Sequence, residues 1–195
     1  MKKKITGFFM CMLLTITILP ITTLAGDPEN PEIKDELDDT YIPNLDIESA
    51  WFYERSDEPE YLYTALKVKS INLKAEAVLS IRWCHNGKEY ASGLDTYLFQ
   101  EDVFRSGDPK RATFWQWKKM PECEGIADQT TNIITWKVSK SNIGNPEKGD
   151  VLTHTRAAAV PSRFSSIIYF FTNRDYRDFA PNERYEYGLD YDIQY

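Results

Sequence analysis

Hydrophobic and polar residues alternate with a period of two along most of the chain, as they do in strands with one buried face. Leu45, Ile47, Ser49 and Trp51 share one parity, with Asp46, Glu48 and Glu54 on the other. Leu62, Thr64, Leu66 and Val68 predict a second strand, with Lys67 and Lys69 turned outward. Leu79, Ile81 and Trp83 predict a third, with Ser80 and Arg82 outward. Asn86-Gly87 comes directly after it. That dipeptide suits a two-residue type I′ turn, which needs positive φ at both positions, and it would place Trp83 opposite Tyr90. Ile134, Trp136 and Val138 alternate with Thr135 and Lys137, and residues 164–171 are apolar on both faces, as in a central strand. The cleanest alternation is the last one. Tyr185, Tyr187, Leu189, Tyr191, Ile193 and Tyr195 share one face, which predicts a regular closing strand on the core. Helical periodicity is absent apart from a turn or two at Ser139–Ile143, with Ser139 as cap. The pattern predicts an all-β fold: a two-sheet antiparallel sandwich of about eight to ten strands, with jelly-roll or immunoglobulin-like layering.

The ends of the chain change the picture. Lys2, Lys3 and Lys4 precede an uncharged, mostly apolar run from Ile5 to Ala25, and Thr23-Leu24-Ala25 precedes Gly26. Residues 1–25 read as an export signal cleaved after Ala25, the alternative being an uncleaved membrane anchor. Either way the remainder lies outside the cell, secreted or on the outer face of its envelope, and a membrane is met only through that segment. Residues 26–44 are acidic and proline-broken: Asp27, Glu29, Glu32, Asp35, Glu36, Asp38 and Asp39 face a single Lys34. This opening loop is either solvated or organised around a cation. Residues 45–195 carry the strands and read as the folded domain.

Charge narrows the partners. The formal balance is −7, and because the first 25 residues contribute three lysines and no acid, the rest carries −10. Such acidity argues against nucleic acid. Two cysteines, Cys84 and Cys123, remain beyond the signal. In an oxidising compartment an even count predicts one disulfide, which would close a loop of about 40 residues and contribute roughly 4 kcal/mol.

Candidate chemistry is sparse. No nucleophile-elbow or His-Glu-x-x-His motif is present, and His85 and His154 stand alone in the sequence, so a non-enzymatic role is expected. Asp27, Asp35, Asp38 and Asp39 offer enough hard oxygen ligands in one loop for calcium. Trp115 and Trp117 share one face of a segment rich in aromatics, and Tyr176 lies in the polar–aromatic stretch Arg174-Asp175-Tyr176-Arg177-Asp178-Phe179. These three are candidates for stacking on sugar rings, against the blander reading of packing and ion-paired surface.

One resemblance spans the exported part. The acidic opening leads into Leu45-Asp46-Ile47-Glu48-Ser49-Ala50-Trp51. Ile134-Thr135-Trp136-Lys137-Val138 later leads into Ile143-Gly144-Asn145-Pro146, and then come Gly149-Asp150 and Ala157–Ala159. Together these resemble the DOMON-like β-sandwich superfamily, which includes family 9-like carbohydrate-binding modules. Leu37-Asp38 stands where that family has Gly-Asp in its opening. The resemblance implies a two-sheet sandwich that binds sugars, haem or surface partners. The expected function is a secreted binding module for carbohydrate or another extracellular surface component. The alternative is a cell-envelope structural or interaction protein without a small ligand and with a calcium-stabilised loop.

Overall fold

The computed structural model describes residues 26–40, 42–75, 77–96, 103–109, 120–161, 177–182 and 186–195. The strands are β1 (Ile33–Lys34), β2 (Ile47–Tyr53), β3 (Tyr61–Val68), β4 (Ala77–His85), β5 (Lys88–Thr96), β6 (Val103–Gly107), β7 (Glu124–Asp128), β8 (Ile133–Ser139), β9 (Val151–Pro161), β10 (Asp178–Ala180) and β11 (Tyr191–Asp192). They form two antiparallel sheets. One runs β1-β2-β3-β8-β7; the other runs β10-β9-β4-β5-β6, with β11 also on β9. The sheets pack face to face, so the fold is the all-β sandwich that the alternation predicts. A single 3₁₀ turn, Lys140–Ile143, follows β8.

The inward residues of β3, β4 and β8 follow their parity. Leu62, Leu66, Val68, Leu79, Ile81, Trp83, Ile134, Trp136 and Val138 all belong to one buried core. Phe52 of the first sheet meets the Trp83 ring of the second edge-on, at 5.5 Å between centroids. The Asn86-Gly87 turn forms with φ of 50° and 70°, and Trp83 pairs with Tyr90 as expected. The turn at Lys140–Ile143 also forms. Ser139 occupies the cap position, but its hydroxyl bonds to that of Ser141 rather than to a backbone amide.

Two strands depart from their sequence pattern. In β2 the register slips between Ile47 and Ser49, leaving Glu48 as an extra residue. A bulge of this kind switches the parity of the residues beyond it. Ala50 and Phe52 therefore join the core between the sheets, and Trp51, though buried, is not part of that cluster. The closing strand is also much shorter than expected. Tyr191 and Ile193 are buried, but Tyr187 and Leu189 are 48% and 71% exposed. The reason is a crossing between sheets: the Gly188 amide donates to the Thr155 carbonyl of β9, and the Leu189 amide donates to the Glu32 carbonyl beside β1. A Cβ on residue 188 would lie 2.4 Å from that Glu32 oxygen, so only glycine passes. At the opposite edge, the Ser106 amide donates to the Pro121 carbonyl and the Cys123 amide to the Phe104 carbonyl, which joins β6 to the approach to β7.

The expected Cys84–Cys123 disulfide is absent, and neither cysteine is bridged. Strand parity is the cause. Trp83 and His85 point inward, so Cys84 between them faces away from the core, whereas Cys123 packs against it. A bridge would have to cross the sheet. Residues 164–171 lie outside the described residues.

Candidate metal centre

Asp35 lies just past β1, and its amide donates to the Glu48 carbonyl of β2. Asp39 is four residues on in the same loop. Asp178 begins β10, where its carboxylate accepts from the Ile47 amide at 2.6 Å. One carboxylate oxygen from each of Asp35, Asp39 and Asp178 lies within 4.8 Å of the others. The three come from two stretches of chain far apart in sequence, brought together because β10 lies beside the start of β2.

The electrostatics of this trio are unfavourable without a counter-charge. Burial, then the charges of Asp178 and Asp39, push Asp35 up to about 8. Burial, partly offset by the Ile47 amide, pushes Asp178 up to about 6, with Asp39 adding to the rise. Asp39 is raised as well, by burial and by Asp46. Both Asp35 oxygens are buried with no well-aligned donor. The neighbouring Glu36 amide, which offsets only part of the rise at Asp35, is also drawn to Asn182 at 3.4 Å. Thr40 Oγ1, next in the chain to Asp39, is likewise buried without a partner. Oxygen-only ligands with orphaned lone pairs fit a hard divalent cation such as calcium, which accepts irregular carboxylate geometry.

Of the predicted ligands, Asp35 and Asp39 converge and the other two do not. Asp27 caps its own turn, accepting from the Glu29 amide at 3.0 Å. Asp38, with φ of 73°, turns its side chain outward to pair with Lys69. The third member, Asp178, lies in the polar–aromatic stretch around Tyr176 and is not among the ligands expected from the sequence. Asp46, fully buried, supports the site from behind: its two oxygens accept from the Asp38 amide at 3.2 and 3.0 Å, and Lys69 lies 3.5 Å away.

Trp115, Trp117 and Tyr176 lie outside the described residues. Among those described, aromatic and polar groups meet in an open groove of about 330 Å³ lined by Tyr61, Glu124, Lys137, Ser139 and Asn142. Lys137 Nζ sits 4.2 Å from the Tyr61 ring centroid and 2.7 Å from Glu58. The groove thus brings an aromatic ring together with ammonium, carboxylate, hydroxyl and amide groups.

His85 is buried, 3.0 Å from Asp150, and ties the β4–β5 turn to the loop before β9. His154 sits on the β9 bulge with φ of 54°, its ring edge-on to Tyr187 at 4.6 Å. No family model matches the chain, no curated protein matches it, and no solved structure matches it.

Proposed function

We propose that this chain is an exported, non-enzymatic binding module for carbohydrate or another extracellular surface component, with its acidic opening fastened to the sandwich by calcium. The observation that carries the cation is the meeting of Asp35, Asp39 and Asp178 around buried Asp35 oxygens that lack a well-aligned donor. Bound there, the ion would supply positive charge and join the opening loop to β10. Asp35, Asp39 and Asp178 would hold it, while Asp46 and Lys69 keep the Asp38 turn in shape. The Tyr61–Lys137 groove supports a saccharide ligand, and the DOMON-like resemblance points the same way. The decisive experiment is isothermal calorimetry of the exported protein with Ca²⁺, followed by a glycan array run with Ca²⁺ and with chelator. Heat of binding that vanishes in Asp178→Asn supports the cation. Glycan signal lost in Tyr61→Ala supports the groove.

The second reading is a cell-envelope interaction protein without a small ligand. Its support is the exposed pair Tyr187 and Leu189, which flanks a second groove of about 330 Å³ with Pro31, Lys34 and Pro181. A blank glycan array and capture of an envelope component lost in Leu189→Asp would favour it.

A further inference from the structure

Gly26 is the first described residue, and its backbone leaves no choice of side chain. Its φ is 96°, and a Cβ there would lie 1.8 Å from the Phe52 carbonyl oxygen. The turn after Gly26 is well tied: Asn30 donates to the Asp27 carbonyl at 2.9 Å, and Glu29 donates to the Asp27 side chain. This turn carries the Gly26 nitrogen to the carboxylate of Glu32. Glu32 is 5% exposed, and it accepts from the amides of Phe52 (3.0 Å), Glu32 itself and Gly26.

Among the described residues, the donors to this buried carboxylate are amides, which leaves the arrangement incomplete. Burial holds Glu32 well up, at about 7, and the groups opposing that rise are backbone N–H donors rather than a cation. Its titratable neighbour is Tyr191, whose own hydroxyl is held neutral by burial. Burying a charge is costly unless a counter-charge accompanies it.

We propose that hydrolysis of the Ala25–Gly26 peptide bond creates that counter-charge: the new Gly26 α-ammonium pairs with the buried Glu32 carboxylate, so that removal of the export signal completes the opening turn. This rests on reading residues 1–25 as a cleaved signal. In the step, a membrane signal peptidase breaks the Ala25 C–N bond. Water delivers hydroxyl to the Ala25 carbonyl carbon and hydrogen to the Gly26 nitrogen, which takes a further proton from solvent. One amide donor becomes an ammonium with three donors and a full charge, at the position where the amide already points. The cut site is constrained from both sides. The enzyme wants a small residue such as Ala25 before the cut, and the fold admits only glycine after it.

The test uses full-length chain exported by an expressing host and purified after export. Mass spectrometry reads the N-terminus, and an N-terminus other than Gly26 overturns the cleavage position on its own. On Gly26-started protein, NMR titration of the Gly26 α-amine reads the pairing. A free α-amine titrates near 7.7 to 8.0; burial alone would lower that value, and pairing with Glu32 raises it by a unit or more, roughly tenfold in proton affinity. Acylation of the same amine, followed by peptide mass, is then roughly tenfold slower in native than in urea-unfolded protein at the same pH. Glu32→Gln brings the native rate and the titration back toward the free amine. If that variant does not fold, the wild-type titration alone decides. A Gly26 amine that titrates at or below the free value overturns the pairing.

Discussion

Glu54 and Lys140 form a buried ion pair at 2.6 Å, with side chains 0% and 9% exposed. Lys140 begins the 3₁₀ turn after β8, and Glu54 comes just after β2. Lys140 also donates to the Tyr195 carbonyl, and Glu54 accepts from the Gln194 amide at 2.6 Å. The pair therefore holds the C-terminal residues against the first sheet. Removing one partner of a buried pair strands the other's charge, at a cost of about 3 to 5 kcal/mol. Glu54→Gln should lower the urea midpoint accordingly. A change below ~1 kcal/mol would mean the pair is solvated in solution.

Calcium should stabilise the protein through the Asp35, Asp39 and Asp178 carboxylates. A ligand that binds only the native state adds about 2.7 kcal/mol at a hundred times its Kd, here about 5 to 10 °C in Tm. Differential scanning fluorimetry with Ca²⁺ against chelator measures it. Asp178→Asn should abolish the shift while still accepting from the Ile47 amide.

The same site sets a pH dependence in chelator. A carboxyl whose value is raised on folding holds its proton more tightly in the native state. Asp35, raised from 3.8 to about 8, favours the fold below pH 3.8 and loses that contribution as pH climbs towards 8. Asp178 loses its share by about 6. Metal-free protein should thus become less stable from pH 4 to 8, and Asp35→Asn should flatten the slope. Saturating Ca²⁺ should also flatten it, because the ion binds the ionised carboxylates. Equal slopes in wild type and Asp35→Asn would remove Asp35 from the account.

The C-terminal segment should divide sharply by residue. Tyr191 is 1% exposed and lies 5.6 Å from the Phe52 ring, so Tyr191→Ala should cost about 3 kcal/mol or more. Leu189→Ala should stay within about 0.5 kcal/mol, because that side chain is largely in water. Deleting residues 184–195 should abolish cooperative unfolding. Chemical denaturation of the three chains checks all of this.

Unfolded, unreduced exported protein should titrate two thiols, those of Cys84 and Cys123. In native protein Cys123 should react slowly, since burial pushes its thiol up to about 11 and thiolate is the reactive form. Ellman's reagent before and after denaturation reads both. An unfolded chain with no titratable thiol would restore the disulfide.

Period-two alternation is a property of neighbouring residues, so the sequence alone determined the fold class and the inward faces of β3, β4 and β8. The Asn86-Gly87 turn was legible for the same reason, because positive φ is a local demand. Asp35 and Asp39 were readable as candidate ligands from the acidity of a single loop. The rest depended on contacts between distant segments. Asp178 joins the trio only because β10 pairs with β9 next to the start of β2. Cys84 and Cys123 fail to meet because a sheet stands between them. The alternation at Tyr187 and Leu189 is broken because Gly188 must satisfy backbone groups of both sheets at once. Glu32 looks like one more acid of a solvated loop until the turn at Gly26 and the Phe52 amide enclose it. In each case the deciding quantity is the desolvation or hydrogen bonding of a group by residues far away in the chain, and only the tertiary structure supplies those neighbours.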